Sequence, residues 1–81
     1  MTPELILYGT SACHLCNEAL AIVLPIAQAS GMTLRQIDIA DDDALETRYR
    51  LHIPVIVHNS MELDWPFNTT QVIAFLQAHK D

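Results

Sequence analysis

The feature that most constrains the fold of this chain is the run Cys13-His14-Leu15-Cys16, set between a short apolar stretch and a longer amphipathic one. Leu5-Ile6-Leu7-Tyr8 is continuously apolar and closes on Gly9-Thr10-Ser11, the pattern of a strand buried on both faces and therefore central in its sheet. Across residues 14–30 the apolar positions Leu15, Ala19, Ile22, Val23 and Ile26 recur at helical spacing, and Gly31 supplies a stop. Leu20, Leu24 and Ala27 widen that stripe, which predicts a helix wedged between the sheet and a second helix. Pro25 removes a backbone donor inside it, so a kink is expected near residues 21–25. Both cysteines thus fall at a strand-to-helix junction.

Residues 33–39 read as the next strand, and the β-α-β order makes it parallel to the first through a right-handed crossover. Asp41-Asp42-Asp43 then supplies capping groups for a short helix over residues 43–51, with Asp43 and Glu46 spaced as a capping box. Pro54-Val55-Ile56-Val57 and Met61-Glu62-Leu63-Asp64-Trp65 form a hairpin around Asn59-Ser60, the second strand alternating as an edge strand does. Asn68 caps a last helix with Gln71 at its third position, Phe67 and Val72 occupy the ends of a hydrophobic staple, and Val72, Ile73, Phe75, Leu76 and His79 follow at helical spacing. The order is β-α-β-α-β-β-α, an α/β chain expected to form a single domain over residues 1–81, with no repeat or linker.

Ten acidic residues against four basic ones give a formal charge of −6, which opposes nucleic acid and anionic membrane surfaces as partners. The longest apolar run, residues 19–26, is too short to span a bilayer. The N-terminus shows no basic region leading into a small-residue cleavage site. The expectation is a soluble, cytoplasmic monomer. In that compartment a cysteine pair is more often catalytic, redox-sensing or metal-binding than structural.

The element order, C-x-x-C at the first strand-helix junction and Ile53-Pro54 opening the third strand together resemble a thioredoxin fold of glutaredoxin type: a four-stranded mixed sheet with helices on both faces. More narrowly, Cys13-His14-Leu15-Cys16 with Arg48-Tyr49-Arg50-Leu51-His52-Ile53-Pro54-Val55 is similar to the small bacterial glutaredoxin-like proteins. The resemblance implies that Pro54 is the family's cis proline, beside the cysteines, with the backbone of Ile53 available to a substrate peptide. It also puts Tyr8 at the flank of the cleft and the amides after Asn68 at a candidate anion site. No organic cofactor is implied as built in, and glutathione is a candidate co-substrate. Three departures weigh against glutathione: Gly9-Thr10-Ser11-Ala12 lacks the basic residue that glutaredoxins place before the first cysteine, Trp65-Pro66-Phe67-Asn68 stands where they carry Gly-Gly, and the chain is itself anionic. Arg48 and Arg50 offer a grip on a carboxylate only if they face the cleft. The buried aspartate of thioredoxins has no counterpart, because Leu5 and Leu7 occupy that strand.

A cysteine at a helix mouth faces unpaired amides and the positive end of the helix dipole, which favour the thiolate. Cys13 is therefore assigned as the nucleophile and Cys16, one turn in, as the resolving thiol; His14 as a cation would lower the Cys13 pKa. The expected activity is thiol-disulfide exchange with protein or low-molecular-weight disulfides. Two alternatives stand beside it: a peptide-binding module without turnover, and a metal or iron-sulfur carrier. His52 lies two residues before Pro54 and would complete a Cys-Cys-His zinc set if it reached the motif, although no second C-x-x-C or H-x-x-H pair supports that site, and no metal ligands are assigned. His58 and His79 read as satisfied or solvated.

Overall fold

The computed structural model describes residues 3–78. Strand β1 (Glu4–Gly9) leads through a tight loop into helix α1 (His14–Ala29), and β2 (Thr33–Asp38) follows. A single 3-10 turn (Ile39–Asp41) joins β2 to helix α2 (Asp43–Tyr49), and β3 (Val55–His58), β4 (Met61–Asp64) and α3 (Thr69–Ala78) complete the chain. The sheet order is β2-β1-β3-β4, with β1 parallel to β2 and antiparallel to β3, and β3 antiparallel to β4. This is the expected four-stranded mixed sheet. The β3-β4 turn places Asn59 and Ser60 both at positive φ, 50° and 67°, the conformation a two-residue hairpin needs.

Side-chain alternation divides the sheet into two faces. Leu5, Leu7 and Ile56 point to one side, where Ala19, Val23 and Ala27 of α1 and Val72, Phe75 and Leu76 of α3 bury them. Helix α1 thus lies beside α3 on one face of the sheet, not between the sheet and a second helix as its broad apolar stripe suggests, and it runs through Pro25 without interruption. Pro25 and Ala21 both lie on its exposed face, where the loss of one intrahelical bond costs least. The other face carries a smaller core of Ile39, Tyr49 and Val55, with Tyr8, Leu45, Ile53 and Val57 packed around it. Central strand β1 is therefore fully buried on the α1 side only. Ile6 and Tyr8 remain half-buried, because the seven residues of α2 are too few to cover the second face.

Two caps show how local sequence sets the helix starts. Asn68 Oδ1 accepts from the Gln71 amide at 2.8 Å while the Asn68 amide donates to Gln71 Oε1 at 2.9 Å, a reciprocal capping box. For α2 the cap is Asp42, not Asp43: its Oδ1 accepts from the amides of Ala44 and Leu45 at 2.8 and 3.1 Å. Three consecutive aspartates can each cap, and the 3-10 turn ending at Asp41 selects the register. The helix also ends at Tyr49, two residues short of the expected boundary.

Candidate active site

Cys13 and Cys16 are joined in a disulfide with Cα atoms 5.2 Å apart. Cys13 is the N-cap of α1, in extended conformation, and its Sγ accepts a hydrogen bond from the Cys16 amide at 3.2 Å. Its sulfur therefore occupies the place of a capping oxygen, where the helix's unpaired N–H groups stabilise negative charge. Cys16 lies one turn further and is buried to 8% exposure, whereas Cys13 is half-buried.

Two backbone positions allow this placement. A Cβ on Gly9 would stand 3.0 Å from Cys16 Sγ and 3.2 Å from Cys16 Cβ, so the end of β1 must lack a side chain for Cys16 to seat. Ala12 has φ 61°, a left-handed conformation that L-residues adopt at a cost and that turns the loop so Cys13 can cap the helix. The loop is also tied to β2. Asp38, level with Gly9 in the parallel register, accepts from the Ala40 amide at 2.9 Å, and hydrogen bonds from the Thr10 side chain and the Ser11 backbone reach the same carboxylate. Those bonds, the Ala40 amide first, hold the Asp38 pKa below the ordinary aspartate value. Nothing local in the sequence marks Asp38, since its partners come from two separate loops.

The other expected site residues are distributed around this centre. His14 is solvent-exposed on the first turn of α1 and stands 3.4 Å from the Glu18 carboxylate, an i,i+4 pair. The Ile53–Pro54 bond is cis, as the resemblance implies, and Pro54 is fully buried; Trp65–Pro66 is also cis. Tyr8 opposes Val55 in the antiparallel β1-β3 pairing, so the Ile53-Pro54 step is level with the end of β1 that leads into the cysteine loop. The Ile53 amide donates to the Tyr49 carbonyl at 3.0 Å, and the Pro54 carbonyl accepts from the Trp65 amide at 3.0 Å. The Ile53 amide, which the resemblance leaves to a substrate peptide, is thus engaged within the chain. Tyr8 stacks on Tyr49 with centroids 4.6 Å apart, within the second core. Asn68 caps α3, its side chain and amide both engaged with Gln71.

On the α2 face, alternation along β4 presents Glu62 and Asp64 to α2 and the segment after it. The Tyr49 hydroxyl donates to Glu62 Oε2, Arg48 pairs with the same oxygen at 3.2 Å and lies over the Tyr49 ring, and His52 pairs with Asp64 at 3.3 Å. Burial, reinforced by the Glu62 carboxylate, pushes the Tyr49 pKa up to about 12. Arg48 grips a carboxylate of its own chain, and His52 is turned to Asp64. Among the described residues no group of three His, Cys, Asp or Glu stands close enough to hold a metal ion, so the Cys-Cys-His set is not assembled. His58 is buried, with Nδ1 3.2 Å from the Glu4 carbonyl oxygen and Nε2 3.4 Å from Asn59 Nδ2. His79 lies outside the described residues. No helix among those described is long and apolar enough to cross a membrane.

Comparison with known proteins agrees with this geometry. The model of the family described as Glutaredoxin-like domain (DUF836) matches residues 4–77. No curated protein matches the chain significantly. Among solved structures, a structural-genomics target protein, XcR50 from X. campestris, is 41% identical over 91% of this chain and 96% of its own, with a TM-score of 0.76. Protein Ne2328 from Nitrosomonas europaea is 27% identical over 93% of this chain and 92% of its own, with a TM-score of 0.74. Thioredoxin 1 from Thermosipho africanus shares the fold at 12% identity, covering 96% of this chain and 99% of its own, with a TM-score of 0.62.

Proposed function

Because this chain belongs to the glutaredoxin-like domain family, we propose that it is a thiol-disulfide oxidoreductase acting on protein or low-molecular-weight disulfides. One observation carries the reading: Cys13 and Cys16 form a disulfide at the N-cap of α1, with the Cys16 amide donating to Cys13 Sγ. In the reduced protein the same amide and the helix dipole favour the Cys13 thiolate. That thiolate attacks a substrate disulfide R–S–S–R′, expels R′–S⁻ and forms Cys13–S–S–R. Cys16 then loses its proton to solvent and attacks Cys13 Sγ, expelling R–S⁻, and both leaving thiolates take up protons at neutral pH. Two electrons pass from the dithiol to the substrate, and an external thiol reductant restores the dithiol. Such a cycle suits the reducing cytoplasm.

In this reading Ile53 and Pro54, level with the end of β1 that leads into the cysteine loop, offer backbone to a substrate strand. His14, exposed beside the nucleophile, adds positive charge when protonated. Glutathione remains an optional co-substrate, since Arg48 is committed to Glu62. The test is reduction of insulin or of a small mixed disulfide by wild-type protein, Cys13→Ser and Cys16→Ser. Cys13→Ser should abolish turnover, and Cys16→Ser should accumulate a mixed disulfide on Cys13 visible by mass spectrometry. Wild-type protein that reduces neither substrate, with no trapped adduct in Cys16→Ser, would overturn the reading.

A further inference from the structure

We propose that an open cavity beside the disulfide is a subsite for a cationic group on the disulfide substrate, with Asp38 as its counter-charge. The inference rests on the exchange chemistry above and names the substrate class that this chemistry prefers. Parallel pairing sets Leu34 beside Leu5, Gln36 beside Leu7 and Asp38 beside Gly9, so all six positions share the sheet face that α1 covers. Leu34 packs against the core, as that face requires. The two positions nearer the cysteines are polar instead, and Gly9 opposite Asp38 lets Cys16 seat close against the strand at the edge of this space.

The result is an open cavity of about 320 Å³ into which Cys16, Asn17, Gln36 and Asp38 face, together with Thr10 and Ser11. At about 30 Å³ per water-sized group, that is room for an aminoalkyl chain or a lysine side chain with water beside it. Among its lining residues Asp38 carries the only charge, and no basic residue lines it. The hydrogen bonds from Ala40, Thr10 and Ser11 hold the carboxylate anionic and fixed in direction. An ammonium group attached near the reacting sulfur gains from this charge, whereas the carboxylates of glutathione meet repulsion without a balancing cation.

The test measures second-order rate constants for the reduced protein with three small disulfides: cationic cystamine, neutral hydroxyethyl disulfide and anionic oxidised glutathione. Asp38→Asn removes the charge while keeping an N-cap acceptor. Glu46→Gln removes one charge from the exposed face of α2 and serves as the control for net charge. Wild type should favour cystamine over oxidised glutathione by about tenfold or more, the scale of electrostatic steering into a charged cleft. Asp38→Asn should abolish most of that preference when each charged disulfide's rate is taken relative to the neutral one in the same variant, so that any general effect of loosening the loop that Asp38 ties divides out. Glu46→Gln should leave the preference in place. The subsite is overturned if wild type shows no charge preference, if Asp38→Asn keeps it or slows all three disulfides alike, or if Glu46→Gln erases it equally. Wild type that reacts with none of the three overturns the exchange chemistry itself, a result distinct from charge-blind reactivity.

Discussion

On the side of the sheet covered by α1 and α3, the strands are held by buried apolar side chains, and polar groups enter at the ends, where Gly9, Cys16 and Asp38 meet and where His58 is buried against the Glu4 carbonyl. On the side covered by α2, the buried core is three residues, and much of the attachment to β4 runs through Tyr49, Arg48 and Glu62, with His52 and Asp64 beside them. Helix length explains the difference. The sixteen residues of α1 present four turns to the sheet, while the seven of α2 present two, so burial suffices on the first face and directed polar contacts supplement it on the second. The comparison also separates stability from chemistry: the cysteines sit at the polar margin of the better-buried face, mounted on its longest helix.

The largest effect that would break this contrast is a cavity in the first core. Leu5 is fully buried, and Leu5→Ala should destabilise the protein by about 2–5 kcal/mol in urea unfolding, whereas Leu45→Ala on the half-buried α2 face should fall at or below the bottom of that range. Equal losses would mean that the two faces contribute alike. Next in size is Glu62→Gln, which replaces the carboxylate that holds the Tyr49 hydroxyl and should cost about 1 kcal/mol at neutral pH. Titration of tyrosinate absorbance should show Tyr49 ionising below the wild-type value of about 12. Because a free tyrosine ionises near 10, a raised folded value stabilises fully below pH 10 and is lost as pH rises through about 12. Wild type should therefore lose stability across that alkaline window, and Glu62→Gln should lose less.

The smallest effect belongs to the loop between the faces. Glycine in place of Ala12 removes the left-handed strain at φ 61° but adds freedom to the unfolded chain, for a net gain of about 0.5 kcal/mol. The same change at Ala21, exposed within α1, should cost about 1 kcal/mol. Matching signs at the two positions would remove the loop's special status.

Most of the fold was legible because its signals are local. The run Leu5 to Tyr8, the α1 stripe, the Asn68–Gln71 box and the Phe67–Val72 staple each depend on residues within a few positions of one another. Where several residues of one type compete, locality fails: Asp41, Asp42 and Asp43 all suit a cap, and only the preceding 3-10 turn chooses Asp42. Alternation in β4 placed Glu62 and Asp64 on one face but could not show that Tyr49 and His52, more than ten residues earlier, would meet them. The cysteine motif and Ile53-Pro54 were visible as sequence, whereas Gly9's close approach to Cys16 and Asp38's hold on Thr10 and Ser11 arise only when β1 and β2 pair.

In the proposed exchange cycle Cys13 and Cys16 are a reversible two-electron couple at the mouth of α1. Equilibrating the protein across a series of defined dithiol-disulfide buffers, with the redox state trapped by alkylation and read by mass, tests it most directly. One transition is expected between dithiol and Cys13–Cys16 disulfide, with a slope of about 30 mV per tenfold change as a two-electron couple requires, and its loss in either serine variant. A pair that stays fully oxidised or fully reduced across the series, or that passes only through single-cysteine adducts, would contradict it.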